Sequence, residues 1–86
     1  MSYVEPYEGL LSLCKMEMEA IEEEGGIDQA LLKIRMDTIY ANLGIVRRSG
    51  YKSAKEKDQF KTLVAEFDLL LEFHVMWYDM DDLLYG

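Results

Sequence analysis

Residues 53–85 read SAKEKDQFKTLVAEFDLLLEFHVMWYDMDDLLY and contain neither glycine nor proline. The stretch opens on Ser53-Ala54-Lys55-Glu56, with the serine and glutamate at capping-box spacing. From there Phe60, Leu63, Phe67, Leu70, His74 and Trp77 recur as a heptad-like seam on one helix face. A second stripe, Leu69, Phe73, Met76, Met80 and Leu83, runs opposite the first in the C-terminal half only. With no breaker before Gly86, the pattern predicts a single helix over about residues 53–84, roughly 48 Å long.

Upstream, Gly25-Gly26 and Gly50 divide the chain into two shorter helical runs. The first is expected over about residues 5–24, beginning near Glu5, with Pro6 at a first-turn position where its missing N–H is not needed. Its apolar face is Tyr7, Leu10, Leu11, Cys14, Met18 and Ile21, and Gly25 suits a left-handed cap. Glu22, Glu23 and Glu24 oppose the helix dipole at its C-terminus, which points to a use for them or to solubility. The second run is expected over residues 28–49, capped by Asp28, with Ile27 and Leu32 spaced for a hydrophobic staple. It has two opposed stripes: Ile27, Ala30, Leu31, Ile34, Ala41 and Ile45, against Leu32, Met36, Ile39, Leu43 and Val46. A helix apolar on two sides is expected to pack on both.

These lengths set the expected architecture: all-α, three helices up-down-up, the C-terminal one longest. A second helix of about 33 Å cannot cover a third of about 48 Å. A globule of this length has a radius of gyration of only about 12 Å. The uncovered end, residues 75–85, is rich in Met and aromatic residues, the types enriched at interfaces. The bundle is therefore expected to be completed by oligomerisation, a dimer first, through Leu69, Phe73, Met76, Trp77, Met80, Leu83 and Leu84. His74, a polar residue within the seam, is a candidate for setting register.

Charge is segregated along the chain. The net formal charge is −8, from 17 acids and 9 bases. Residues 1–32 carry eight acids and one base, residues 33–61 three acids and eight bases, and residues 62–86 six acids and no base. The turn between the second and third helices thus forms a basic pole, with Arg47, Arg48, Lys52 and Lys55 as its candidate contact patch. The opposite pole is acidic. Two antiparallel copies would bring unlike poles together.

Composition excludes several classes. Half the chain is hydrophobic, too much for a disordered tail. One cysteine makes no disulfide framework and no cysteine zinc site. No apolar window is long enough for a membrane span, and the N-terminus lacks the pattern of a secretory signal, so a cytoplasmic protein is expected. The loop Arg47-Arg48-Ser49-Gly50-Tyr51-Lys52-Ser53 has cations and hydroxyls suited to phosphate but lacks the Walker A pattern. The overall negative charge opposes direct nucleic-acid binding. Asp68, Glu72 and Asp79 share a strip, yet no Glu-x-x-His pair exists for a di-iron site, and the acids near 79–82 lack an EF-hand pattern, so no metal and no cofactor is expected. Cys14 falls on a core face, far in type from an activated nucleophile, and no catalytic set emerges. The expected function is non-enzymatic: a helical protein–protein interaction module that self-associates and presents a charged surface to another protein. The alternative is an acidic inhibitor imitating nucleic acid toward a DNA- or RNA-handling protein.

Overall fold

A computed structural model describes residues 6–85, with side chains from Gly9 onward. Glu5 as a helix start, the N-terminal residues read against a signal and Gly86 as a stop lie outside the described residues, as does the side chain of Tyr7. All regular structure among the described residues is helical: α1 (Pro6–Glu24), α2 (Gln29–Ser49), α3 (Ala54–Phe73) and the single turn α4 (Asp81–Leu84).

The helix starts follow local chemistry. Asp28 accepts the Leu31 N–H at 3.1 Å, and Ser53 accepts the Glu56 N–H at 3.1 Å, each satisfying a donor left orphaned at a helix N-terminus. Gly25 and Gly26 take left-handed φ values of 67° and 73° between α1 and α2, a conformation open to glycine without strain. The staple is not formed, since Ile27 remains 90% exposed.

Packing selects one face of each helix. Leu11, Cys14, Met18 and Ile21 of α1 meet Leu32, Met36, Ile39, Leu43 and Val46 of α2 and Phe60, Leu63, Phe67 and Leu71 of α3 in one buried cluster. The antiparallel course of α1 and α2 shows in the Cys14 thiol facing the Ile39 carbonyl and in Arg35 reaching Glu17 and Glu24. The other α2 stripe stays open to solvent, with Ile34 and Ile45 exposed, contrary to the expectation that both sides pack.

The third helix departs most from expectation. It stops at Phe73 and does not continue to residue 84. The Met76 N–H bonds the Leu71 carbonyl at 2.9 Å and the Val75 N–H bonds the Glu72 carbonyl at 3.2 Å. These are the two hydrogen bonds of a Schellman motif, with half-buried Met76 beside buried Leu71 as its apolar contact. The left-handed position usually given to glycine is held by Val75 at φ 55°. A non-glycine residue there costs roughly 1–2 kcal/mol. Beyond the turn the chain folds back between α2 and α3. Tyr78 stacks within 5.1 Å of Tyr40 and 5.6 Å of Phe67, ring centre to ring centre. Leu83 enters the core at 2% exposure, and Met76, Tyr78 and Met80 pack against that core. Fully burying one leucine is worth about 1.5–3 kcal/mol, so Leu83 alone balances the strained turn, and its neighbours tip the balance toward folding back.

The overhang inferred from helix length is thereby removed: residues 76–84 form a strap that covers their own bundle. Leu83, expected at an intermolecular interface, is a core residue. His74 is the C-cap of α3 and lies against the first interhelical turn, not in a seam between long helices. A Cβ built on Gly26 would stand 2.6 Å from the His74 Cε1, so Gly26 is required for close approach as well as for its φ.

Candidate functional site

The strap and α3 together border a trough on one side of the molecule. Its first part is a groove of about 620 Å³. Tyr51, Phe60, Val64, Met80, Leu83 and Leu84 give it an apolar floor, and Arg47, Lys57 and Lys61 give it a basic rim. Lys57 and Lys61 are one helical turn apart, on the side of α3 that also carries Val64. None of these three cations forms an ion pair with a described residue. The floor is held by the core beneath it and by the Tyr51–Phe60 ring pair, 5.2 Å between centres.

The second part is a cleft of about 320 Å³ that adjoins the first, with Asp68 and Met80 lining both. Leu71, Met76, Trp77 and Tyr78 line it, and Glu72, Asp79 and Asp81 make its rim acidic. Within it Trp77 is 84% exposed; Phe73 (77% exposed), Leu69 and Val75 also face solvent but lie outside the cleft lining. The trough therefore has a basic end, an acidic aromatic end and an apolar line joining them.

The strap that forms the acidic end is fastened by a polar cluster. Lys33 Nζ donates to Asp37 at 2.6 Å and to the Tyr78 hydroxyl at 3.0 Å, and lies 4.8 Å from the centre of the Tyr78 ring. The Tyr78 hydroxyl donates to the same Asp37 carboxylate. Hydrogen bonds from Lys33 and then Tyr78 hold the Asp37 carboxyl below its ordinary range. Burial, followed by the Asp37 bond, pushes the Tyr78 hydroxyl up. The Tyr40 hydroxyl donates to the Asp79 carbonyl at 2.8 Å and is likewise pushed up, first by burial and then by Asp82 and Asp79.

Of the residues expected at an interface, Leu69, Phe73, Trp77 and Leu84 are exposed, Met76 and Met80 are half-buried, and Leu83 is buried. The expected basic patch separates into two parts. Arg47 lines the groove, whereas Arg48 is exposed and lies over Gly44, and Lys52 and Lys55 are exposed at or near the α2–α3 turn. Lys57 and Lys61, which complete the groove, sit within the basic run but outside that four-residue patch. Their spacing with Phe60 and Val64 was the available signal. Glu24, one of the acids at the unfavourable end of α1, has a structural partner: Arg35 bonds it at 2.8 Å and Glu17 at 2.9 Å, tying α1 to α2.

Among the described residues no group of three His, Cys, Asp or Glu side chains is placed to hold a metal ion. Cys14 is buried, donates to the Ile39 carbonyl at 3.8 Å, and has its thiol pushed up to about 12 by burial and by Glu17. It remains a thiol, and so a poor nucleophile, at neutral pH. No described helix is long and apolar enough to cross a membrane. Comparison with protein families, curated proteins and solved structures finds no match to this chain.

Proposed function

We propose that this protein is a non-enzymatic helical interaction module that self-associates through the aromatic end of its trough and offers its charged surface to protein partners. The observation that carries the reading is Trp77 at 84% exposure beside exposed Phe73 and Val75. Trp and Phe are enriched in the cores of protein–protein interfaces, and exposed tryptophan is an expected anchor. Val75 adds a second support. A β-branched residue held left-handed, with its side chain turned to water, is strained without intramolecular benefit from that side chain. The strap fixes both residues on a folded scaffold, which lowers the ordering cost of binding. The interface proposed here comprises Leu69, Phe73, Met76, Trp77 and Met80, with Leu84 at the far end.

The test is solution mass by sedimentation or light scattering at micromolar concentration, on the wild type and Trp77→Ala. The wild type is expected at twice the chain mass or more. Trp77→Ala is expected to weaken association while circular dichroism and thermal stability of the monomer stay unchanged, because the side chain makes little contact within its own chain. A wild type that remains monomeric overturns the proposal.

A further inference from the structure

The two ends of the trough are chemically complementary to each other. Arg47, Lys57 and Lys61 rim an apolar groove at one end, and Glu72, Asp79 and Asp81 line a cleft with Trp77 at the other. We infer that the basic groove is the seat for the Trp77 segment of a second copy, docked antiparallel about a two-fold axis near Met80. This inference rests on the self-association reading and adds to it the seat, the direction and the symmetry.

Two observations favour this occupant. First, charge matches: three cations that form no ion pair with described residues face three carboxylates, and an apolar floor faces an indole. Unlike charges across an interface fix direction and reject the reverse pairing. Second, the two halves lie on one side of the molecule and meet at Asp68 and Met80. Lys61 lies about 10 Å along α3 on one side of Asp68, and Glu72 about 6 Å on the other. A two-fold rotation about that point therefore sets each acidic end over the other copy's basic end, and both seats fill in one closed dimer. Exposed Asp68 from each copy stays at the rim, where water screens the pair.

The experiment reverses charge at one end at a time. Lys57→Glu with Lys61→Glu makes the groove acidic, and Glu72→Lys with Asp81→Lys makes the Trp77 end basic. Association is read by sedimentation equilibrium and by the emission of Trp77, the chain's single tryptophan. Far-UV circular dichroism checks that each variant is folded. Each variant alone is expected to dissociate at least about a hundredfold more readily than the wild type, since both of its contacts become repulsive. An equimolar mixture is expected to dimerise like the wild type and shift the Trp77 emission to the blue, because both contacts of the mixed pair regain opposite charge. Variants that dimerise as tightly as the wild type place the seat elsewhere and overturn the inference, while self-association itself stands. Variants that dissociate but are not rescued by mixing overturn the pairing of the two ends. A monomeric wild type overturns this inference together with the reading beneath it.

Discussion

Replacing Val75 by glycine is expected to stabilise the monomer. Val75 sits at φ 55°, where an L-residue is strained by roughly 1–2 kcal/mol and a β-branched one toward the upper end. Its side chain is 92% exposed, so removing it gives up almost no buried area. Glycine adopts this backbone freely, but its more flexible unfolded chain costs about 0.5–1 kcal/mol. The difference leaves a gain of about 1 kcal/mol, or about 4–8 °C in Tm for a domain of this size. In an uninterrupted helix through residue 75 the same substitution has the opposite sign, because glycine is a poorer helix former than valine by a few tenths of a kcal/mol. The assay is urea and thermal unfolding followed at 222 nm, made in the Trp77→Ala background so that association does not contribute. A higher midpoint with an unchanged m-value is the expected result. A loss of half a kcal/mol or more would refute the left-handed turn and the strap that depends on it.

Leu83→Ala should destabilise the monomer by about 2–5 kcal/mol, the cost of emptying a core leucine site, measured by chemical denaturation; a change under half a kcal/mol would return Leu83 to the surface. Gly26→Ala should cost about 1–3 kcal/mol, because alanine is strained at φ 73° and its methyl meets the His74 ring. His74→Ala should recover part of that loss in the double variant. At high pH the folded state should weaken. The Cys14, Tyr40 and Tyr78 groups all have raised folded values, so their stabilisation is present below the unfolded values of 9.0 and 10.0 and is lost as pH rises through the folded ones. Unfolding midpoints that do not fall above pH 9 would contradict the burial of these groups.

The parts of the fold that local chemistry dictates were legible in the sequence. The Asp28 and Ser53 caps, Gly25 and the apolar face of α1 are set by residues within a turn of one another, whereas α2 offered two stripes and only tertiary packing chose Leu32, Met36, Ile39, Leu43 and Val46. The stop after Phe73 was not. Its hydrogen bonds form a glycine-type cap around a valine, so the residue that marks such a turn is missing. What drives the stop lies far away in sequence: the slot between α2 and α3, with Tyr40 and Phe67 on its walls, accepts Tyr78 and then Leu83. Helical periodicity placed Leu83 and Met80 on one stripe of a straight helix and therefore at an interface, whereas tertiary burial gave Leu83 to the core. The cluster of cations from Arg47 to Lys61 was legible in the sequence. Its reduction to a groove rimmed by Arg47, Lys57 and Lys61 needed the strap in place, because Met80, Leu83 and Leu84 supply half of the apolar floor.

The return of the strap is also what places Trp77 and the basic groove on one side of the molecule, and it is most directly tested by nuclear Overhauser contacts from the Tyr78 ring. With ring centres 5.1 Å and 5.6 Å away, Tyr40 and Phe67 should both show cross-peaks to Tyr78 in the Trp77→Ala monomer. A straight helix would carry Tyr78 about 16 Å beyond Phe67 along its axis. Absent ring contacts, with helical chemical shifts continuing through residues 74–80, would contradict the fold-back and the bipolar trough built on it.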